Sequence, residues 1–266
     1  MSLIRSSLDS RGVATLTLAR AERRNALDQA MVVELIAALE RAANDPQTRI
    51  LLLAGDGPAF CAGGDIEWMK RVAADTPRAN EEDALLLARA MRALDTLPKP
   101  TLARVHGAAY GGGVGLVACC DIAVASDIAS FCLSEARIGL TPSVIGPYVQ
   151  RAIGARQARR YFLTAEAISA TQARALGLVH EIAPAAELDA RLAHIVDALL
   201  AGAPGAQAEA KASMALFAER PIDEALMHET AQRIAARRAS AEGKEGLAAF
   251  LEKRSPCWRR DRDDVS

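Results

Sequence analysis

Three consecutive glycines, Gly111-Gly112-Gly113, open the apolar run Val114 to Cys120 and constrain this chain more than any other feature. Without a Cβ, such residues take backbone conformations closed to others and let a neighbouring chain or ligand approach closely. A helix that starts there presents unpaired, partially positive N–H groups. Asp121 ends the run well short of the ~20 apolar residues that a bilayer core needs, so the segment packs inside a protein. About one strand later comes a lone acid, Glu135. A carboxylate beside an anion-binding helix start suits proton transfer on a carbonyl compound. The same glycines also suit nothing more than close helix–strand packing, and both readings stand at this point. Nucleotide motifs are excluded: counting from Gly111 or Gly113 gives no G-x-G-x-x-G, and no Lys-Ser/Thr follows at phosphate-loop spacing.

A second glycine loop has the same character. Residues 49–55, RILLLAG, read as a buried strand and lead through Asp56-Gly57-Pro58-Ala59-Phe60 into Cys61-Ala62-Gly63-Gly64-Asp65. Asp65 is a good N-cap for the segment Ile66-Glu67-Trp68-Met69-Lys70. Gly64 then offers a free N–H just before a helix start. Donors from Gly64 and Gly112 together meet the requirement of a thioester oxyanion hole.

The pattern around these loops alternates. Strands are predicted at Val13–Leu18, Ile50–Leu53, Thr101–Val105, Ile122–Ala125, Phe131–Ser134 and Leu178–Ile182. After N-cap Asp28, Met31, Leu35, Ala38, Leu39 and Ala42 share one helical face until Asn44-Asp45-Pro46. Arg78 to Leu97 repeats the pattern through Leu85, Ala88, Met91 and Leu94, and Pro98-Lys99-Pro100 stops it. This alternation predicts an α/β core. From Glu187 onward only helices are predicted, at 187–201, 205–218, 222–239 and 242–253, with breaks at Gly202-Ala203-Pro204, Arg220-Pro221 and near Gly243. No internal repeat is visible.

With 266 residues and a formal charge of −1, the chain is long enough for one large domain or a core with an appendage, and its charge selects neither nucleic acid nor an anionic membrane. The five cysteines, Cys61, Cys119, Cys120, Cys132 and Cys257, form no C-x-x-C pair and make an odd count, so buried reduced thiols are expected. No histidines sit at metal-ligand spacing, so no metal is expected, and His106 and Asp121 read as structural residues at element ends. No charged-then-apolar leader precedes the first strand, and a cytoplasmic location is expected.

FCAGGDI (Phe60–Ile66), HGAAYGGGVGL (His106–Leu116) and SEARIGLTP (Ser134–Pro142), in this order and spacing, resemble the crotonase (enoyl-CoA hydratase/isomerase) superfamily. RRNAL at Arg23–Leu27 and SAEGKEGLAAFLEKRSPCW at Ser240–Trp258 extend the resemblance over nearly the whole chain. The resemblance implies a spiral core of ββα turns over residues 1–200 and an all-helical trimerisation region over 201–266. It implies an acyl-CoA thioester held at the amides of Gly64 and Gly112, with no cofactor beyond the CoA that belongs to the substrate. It further implies contacts to that CoA from Arg24, Ala26, Ala62, Gly63, Asp65 and Ile66. Phe250 and Lys253, on one face of the last helix, are implied to reach the CoA of a neighbouring subunit in a homotrimer, paired into hexamers.

One departure bears on the chemistry. Hydratases of this superfamily have two glutamates, the first three residues after the middle glycine and the second on the following strand-to-loop segment. Here the first position is Gly115 and the second is Glu135. A single carboxylate serves syn hydration of a 2-enoyl-CoA, and it also serves Δ3-Δ2 isomerisation. A non-catalytic acyl-CoA-binding protein would keep the glycines. Residues 112–154 resemble most closely the bacterial hydratases of branched glutaconyl-CoA substrates, namely 3-methylglutaconyl-CoA in leucine breakdown and its isohexenyl relative. The distal carboxylate of such a substrate calls for a cation, with Arg137 and Lys70 as candidates.

Overall fold

The apolar stretches and caps resolve into ten strands and ten α-helices in a computed structural model that describes residues 2–218 and 220–259. In chain order these are β1 (Ile4–Leu8), β2 (Val13–Leu18), α1 (Gln29–Asn44), β3 (Ile50–Gly55), β4 (Ala59–Cys61), α2 (Ile66–Ala73), α3 (Pro77–Asp95), β5 (Thr101–Val105), β6 (Ala108–Tyr110) and α4 (Gly112–Cys119). The second half contains β7 (Ile122–Ser126), β8 (Ser130–Cys132), α5 (Gly146–Thr164), β9 (Ile168–Ser169), α6 (Ala170–Leu176), β10 (Glu181–Ala183), α7 (Leu188–Ala201), α8 (Pro204–Phe217), α9 (Glu224–Ala239) and α10 (Ala241–Glu252). Met1, Glu219 and residues 260–266 of the two expected regions lie outside the described residues.

Two sheets run side by side through the molecule. One has the order β1-β2-β3-β5-β7-β10 and the other β4-β6-β8-β9. Each of three successive turns sends its first strand (β3, β5, β7) to the larger sheet and its second (β4, β6, β8) to the smaller, then adds a helix. In the second and third turns each such strand pairs in parallel with its counterpart in the preceding turn. The chain is therefore a spiral of ββα turns, as the resemblance implied. The repeat escaped the sequence because its second strands are only three residues long, too short to display a period of two.

Burial follows the expected faces. Asp28 caps α1 through a 2.9 Å bond from the Met31 amide, and Met31, Leu35, Ala38, Leu39 and Ala42 are buried. The other side of the large sheet is covered by α7, whose Leu188, Leu192, Val196 and Leu200 pack on Val13, Ile50, Leu102 and Val124. Each such leucine contributes about 1.5–3 kcal/mol of apolar burial. α8 returns to the core, where the Lys211 ammonium sits 2.8 Å from Asp121. Asp121 also accepts the Thr101 amide at 2.8 Å, which is the structural role expected of it.

Several expectations require correction. β8 begins and ends earlier than Phe131–Ser134, and β10 is displaced from Leu178–Ile182 to Glu181–Ala183. Met91 and Leu94 are buried as expected, but Leu85 is 47% exposed, and Ala90 joins the inward face of α3. The break before α10 falls at Ser240, whose hydroxyl accepts the Gly243 amide, so Gly243 lies inside the helix. Four cysteines are buried as expected, but Cys257 is exposed. α9 and α10 bury only Leu226 and Ala249, leaving Met227, Ile234, Leu247, Phe250 and Leu251 at the surface.

Candidate functional site

The glycine triplet turns β6 into α4. Gly111 has φ +46° and ψ −117°, a conformation that side chains forbid, and it acts as the N-cap of α4. Its amide donates to the Cys132 carbonyl at 2.8 Å, in line with the pairing of Tyr110 and Cys132 across β6 and β8. That bond ties the end of β8 to the helix start. The chain then enters a 3-10 turn at Ser134–Ile138, closed by left-handed Gly139, which brings Glu135 back over Gly111. A Cβ on Gly111 would lie 3.1 Å from Glu135 Oε1, so glycine makes room for the carboxylate. Glu135 Oε2 is buried without a hydrogen-bond partner. Burial raises the Glu135 pKa, only partly opposed by its own backbone amide.

The second loop reaches the same place. Leu27 N donates to Gly63 O at 2.7 Å, and Asp65 N donates to Leu27 O at 2.8 Å, a parallel bridge centred on Gly64. In such a bridge the central residue turns its own N–H away from the partner strand. Gly64 thus directs its amide to the side opposite Leu27, and no described residue accepts it. Gly63, at φ +96°, approaches Gly111 so closely that a Cβ on it would lie 3.1 Å from Tyr110 O and 3.8 Å from Gly111 Cα. Gly112 is the first residue of α4, so its N–H lacks an acceptor within the helix. The Leu27 side chain backs Gly112, its Cδ1 2.9 Å from where a Cβ would stand. Two glycine amides and one half-buried carboxylate are thereby assembled by chain contacts between three separate segments.

The remaining expected residues divide into two groups. Arg24, Ala26, Ala62, Gly63, Asp65 and Ile66 lie along one seam, where the Ala62 amide donates to the Arg24 carbonyl at 2.9 Å. Arg24 and Ile66 are exposed, whereas Ala26 and Asp65 are buried. Asp65 uses one carboxylate oxygen to cap α2 at the Glu67 and Trp68 amides, 2.9 and 3.1 Å away, so its side chain is committed inside the protein. Burial raises its pKa, but those amides with Arg20 and Arg23 outweigh burial and hold it below the usual carboxylate value. Phe250, 79% exposed, stands on α10, which packs against α9 rather than against this seam, whereas Lys253, expected on the same helix face, is the C-cap at φ +56° and lies past the last helical residue, Glu252. Lys70 is spent on a surface pair with Glu67 at 3.1 Å. Arg137 is exposed on the Glu135 turn, and no described carboxylate pairs with it.

Neighbouring groups do not compete for the chemistry. Burial pushes the Cys61 thiol up to about 12 despite a hydrogen bond from the Gly63 amide, which leaves it unreactive. His106 Nε2 binds the Gly57 carbonyl at 2.9 Å, and burial lowers its pKa, consistent with a neutral structural histidine. Among the described residues, no three His, Cys, Asp or Glu side chains converge as a metal site, and no helix is long and apolar enough to cross a membrane. A cavity of about 700 Å³ lies elsewhere, between the end of α4, α5 and α8. Its charges are already matched as Arg151–Asp95 and Lys211–Asp121 pairs, so it offers no reactive group comparable with Glu135.

Some participants had no signal in the sequence. Gly115 faces Ile145: a Cβ there would meet Ile145 Cγ2 at 2.3 Å and Met91 Cε at 3.2 Å. Buried Asn25 holds the carbonyls of Asp56, Ala59 and Phe60 through Nδ2 at 2.8, 2.9 and 3.1 Å, fastening the strand that leads into the Gly64 loop. Its φ of +56° is a conformation asparagine accepts more readily than most residues, which is the one clue RRNAL carried.

A model of the family described as enoyl-CoA hydratase/isomerase matches residues 9–261. The chain is 32% identical over 244 residues to the crotonyl-CoA hydratase of Syntrophomonas wolfei, covering 91% of this chain and 92% of that protein. It is 32% identical over 250 residues to the 2,3-dehydroadipyl-CoA hydratase of Escherichia coli, covering 93% and 95%. The crystal structure of an enoyl-CoA hydratase from Shewanella pealeana superposes with a TM-score of 0.93 at 45% identity, over 96% of each chain.

Proposed function

This chain belongs to the enoyl-CoA hydratase/isomerase family, and on that premise we propose that Glu135 adds water across the 2,3 double bond of an enoyl-CoA thioester held at Gly64 and Gly112. The observation that carries the proposal is the buried, unpartnered Oε2 of Glu135 over the start of α4. The thioester oxygen accepts the two glycine amides. As water adds at C3, charge gathers on that oxygen, so the donors stabilise the enolate more than the ground state. Each is worth about 2.7–4 kcal/mol by analogy with other oxyanion holes. Glu135 takes a proton from the attacking water and returns one to C2 on the same face, which gives syn addition. The raised proton affinity of a buried carboxylate favours the first of these transfers.

The acyl group we propose is a branched glutaconyl chain, with 3-methylglutaconyl-CoA first. Arg137, two residues from Glu135 and without a described ion-pair partner, pairs with the distal carboxylate; Lys70, already occupied by Glu67, does not. The similarity to a hydratase of 2,3-dehydroadipyl-CoA, another acyl group with a second carboxylate, is compatible with this choice. On the CoA side, the seam from Arg24 and Ala26 to Ala62–Ile66 borders the pantetheine and nucleotide. Residues 201–266 assemble trimers, paired into hexamers, in which Phe250 and Lys253 reach a neighbour's CoA; the exposed apolar residues of α9 and α10 support this.

Turnover of 3-methylglutaconyl-CoA, crotonyl-CoA and a 3-enoyl-CoA by the purified protein tests the reading. Arg137 is exposed, and an exposed ion pair contributes about 0.2–1 kcal/mol, so kcat/KM should fall by up to about fivefold from the first thioester to the second. Faster hydration of crotonyl-CoA refutes the branched substrate. Turnover of the 3-enoyl-CoA alone makes the protein an isomerase, and tight CoA binding without turnover makes it a binding protein.

A further inference from the structure

We infer that Arg20 is a positioning residue for the Gly64 amide, acting through the N-caps of α1 and α2; the inference rests on Gly64 being an oxyanion donor. The Arg20 guanidinium reaches two carboxylates at once. Nη1 lies 3.0 Å from Asp28 Oδ2, and Nη2 lies 3.0 Å from Asp65 Oδ2. Nη1 also donates to the Ala26 carbonyl at 3.1 Å, and the Arg20 backbone amide donates to Asn25 Oδ1 at 2.9 Å. Each carboxylate uses its other oxygen to cap a helix: Asp28 at Met31, Asp65 at Glu67 and Trp68. One side chain therefore locks the first turn of α1 to the first turn of α2.

The lock sits where it controls the hole. Asp65 follows Gly64 directly, and Leu27, which precedes Asp28, supplies the bridge that flanks Gly64 and the side chain that backs Gly112. Gly64 has no side chain to anchor it, and its amide is bonded to nothing in the described chain. Its direction is set by its neighbours alone, and a rotation of the peptide before it would swing the N–H out of the hole. The three charged side chains are only 15%, 19% and 7% exposed, and a guanidinium fork in such surroundings holds a fixed geometry that a lysine ammonium does not. Removing Arg20 also strands two carboxylates, so its structural and positioning roles must be separated experimentally.

The variants are Arg20→Lys, Arg20→Met, and Arg20→Met combined with Asp28→Asn and Asp65→Asn, since asparagine still caps helices and carries no charge to strand. Thermal midpoint, kcat and KM with crotonyl-CoA, and the near-ultraviolet band of the enolate of bound acetoacetyl-CoA are read for each. Arg20→Met should lose both stability and turnover. The triple variant and Arg20→Lys should recover the midpoint, yet keep kcat about tenfold or more below the parent with little change in KM, because misplacement within a hole of this kind acts on the transition state. Their enolate band should be weaker. If kcat and the band recover together with the midpoint, Arg20 only neutralises its partners and the inference is wrong. Gly112→Pro removes a hole donor in parallel, and Gly112→Ala, which keeps the amide but makes the same 2.9 Å contact with Leu27 Cδ1, separates loss of the donor from crowding. Loss of turnover in Gly112→Pro with a fully active triple variant sinks the Arg20 role alone, whereas an undiminished band in Gly112→Pro sinks the oxyanion reading and the Arg20 role with it.

Discussion

Replacing Glu135 by glutamine should cost activity and increase stability, and the two effects should depend on pH in linked ways. Among the described residues this is the carboxylate that stands over the start of α4, and turnover should fall by about 10²–10⁴, the usual contribution of general acid–base catalysis. The stability effect follows from the unpartnered buried Oε2. An unsatisfied buried polar group costs about 1–3 kcal/mol, and glutamine keeps part of that demand, so the gain should be near 1 kcal/mol. For a chain of this size that is a rise of about 2–4 °C in thermal midpoint. Below the ordinary carboxylate value of 4.5 the group is protonated in both folded and unfolded chains, and the variant gains nothing from removing the charge. Above it the unfolded chain ionises while burial holds the folded carboxyl back. Parent stability is therefore lost as pH rises through the raised folded pKa, and the advantage of the variant grows over the same window before levelling off. Parent turnover should rise over that window too, because the base must be ionised. Calorimetry from pH 4 to 8 beside steady-state kinetics reads all of this. Near-normal turnover removes Glu135 from the mechanism, and a stability gain that is flat with pH refutes burial as the cause of its raised pKa.

Gly115→Ala should destabilise the fold by about 1–3 kcal/mol, since its Cβ would stand 2.3 Å from Ile145 Cγ2. Combined with Ile145→Ala it should cost clearly less than the sum of the two single changes by denaturant titration, and strict additivity would refute the contact. The exposed Leu247, Phe250 and Leu251 should be covered in solution, so light scattering should report trimers or hexamers that Phe250→Asp weakens; a stable parent monomer at micromolar concentration contradicts the assembly.

What the amino-acid order determined alone was local. The 3.6-residue spacing from Met31 to Ala42, the aspartates before α1 and α2, and Pro98-Lys99-Pro100 after α3 each act within a turn or two, and the structure places them as read. The glycines were legible for the same reason: Gly111 and Gly63 adopt positive φ where only a missing Cβ allows close approach. The motif resemblance then supplied the spiral, which no periodicity disclosed. Tertiary structure decided the rest. The three-residue strands β4, β6 and β8 gain their identity from neighbours in the sheet, the close contact at Gly115 comes from a distant Ile145, and the exposure of Leu85 comes from how α3 lies on the core. Arg20 is an ordinary charge in the sequence until folding sets Asp28 and Asp65 on either side of it. Glu135 stood out in the sequence, but its half-buried place at the glycine turn comes from β8, which delivers it there. Propensity and capping act over a few residues, whereas burial and ion pairing are set by whichever segments the topology brings together.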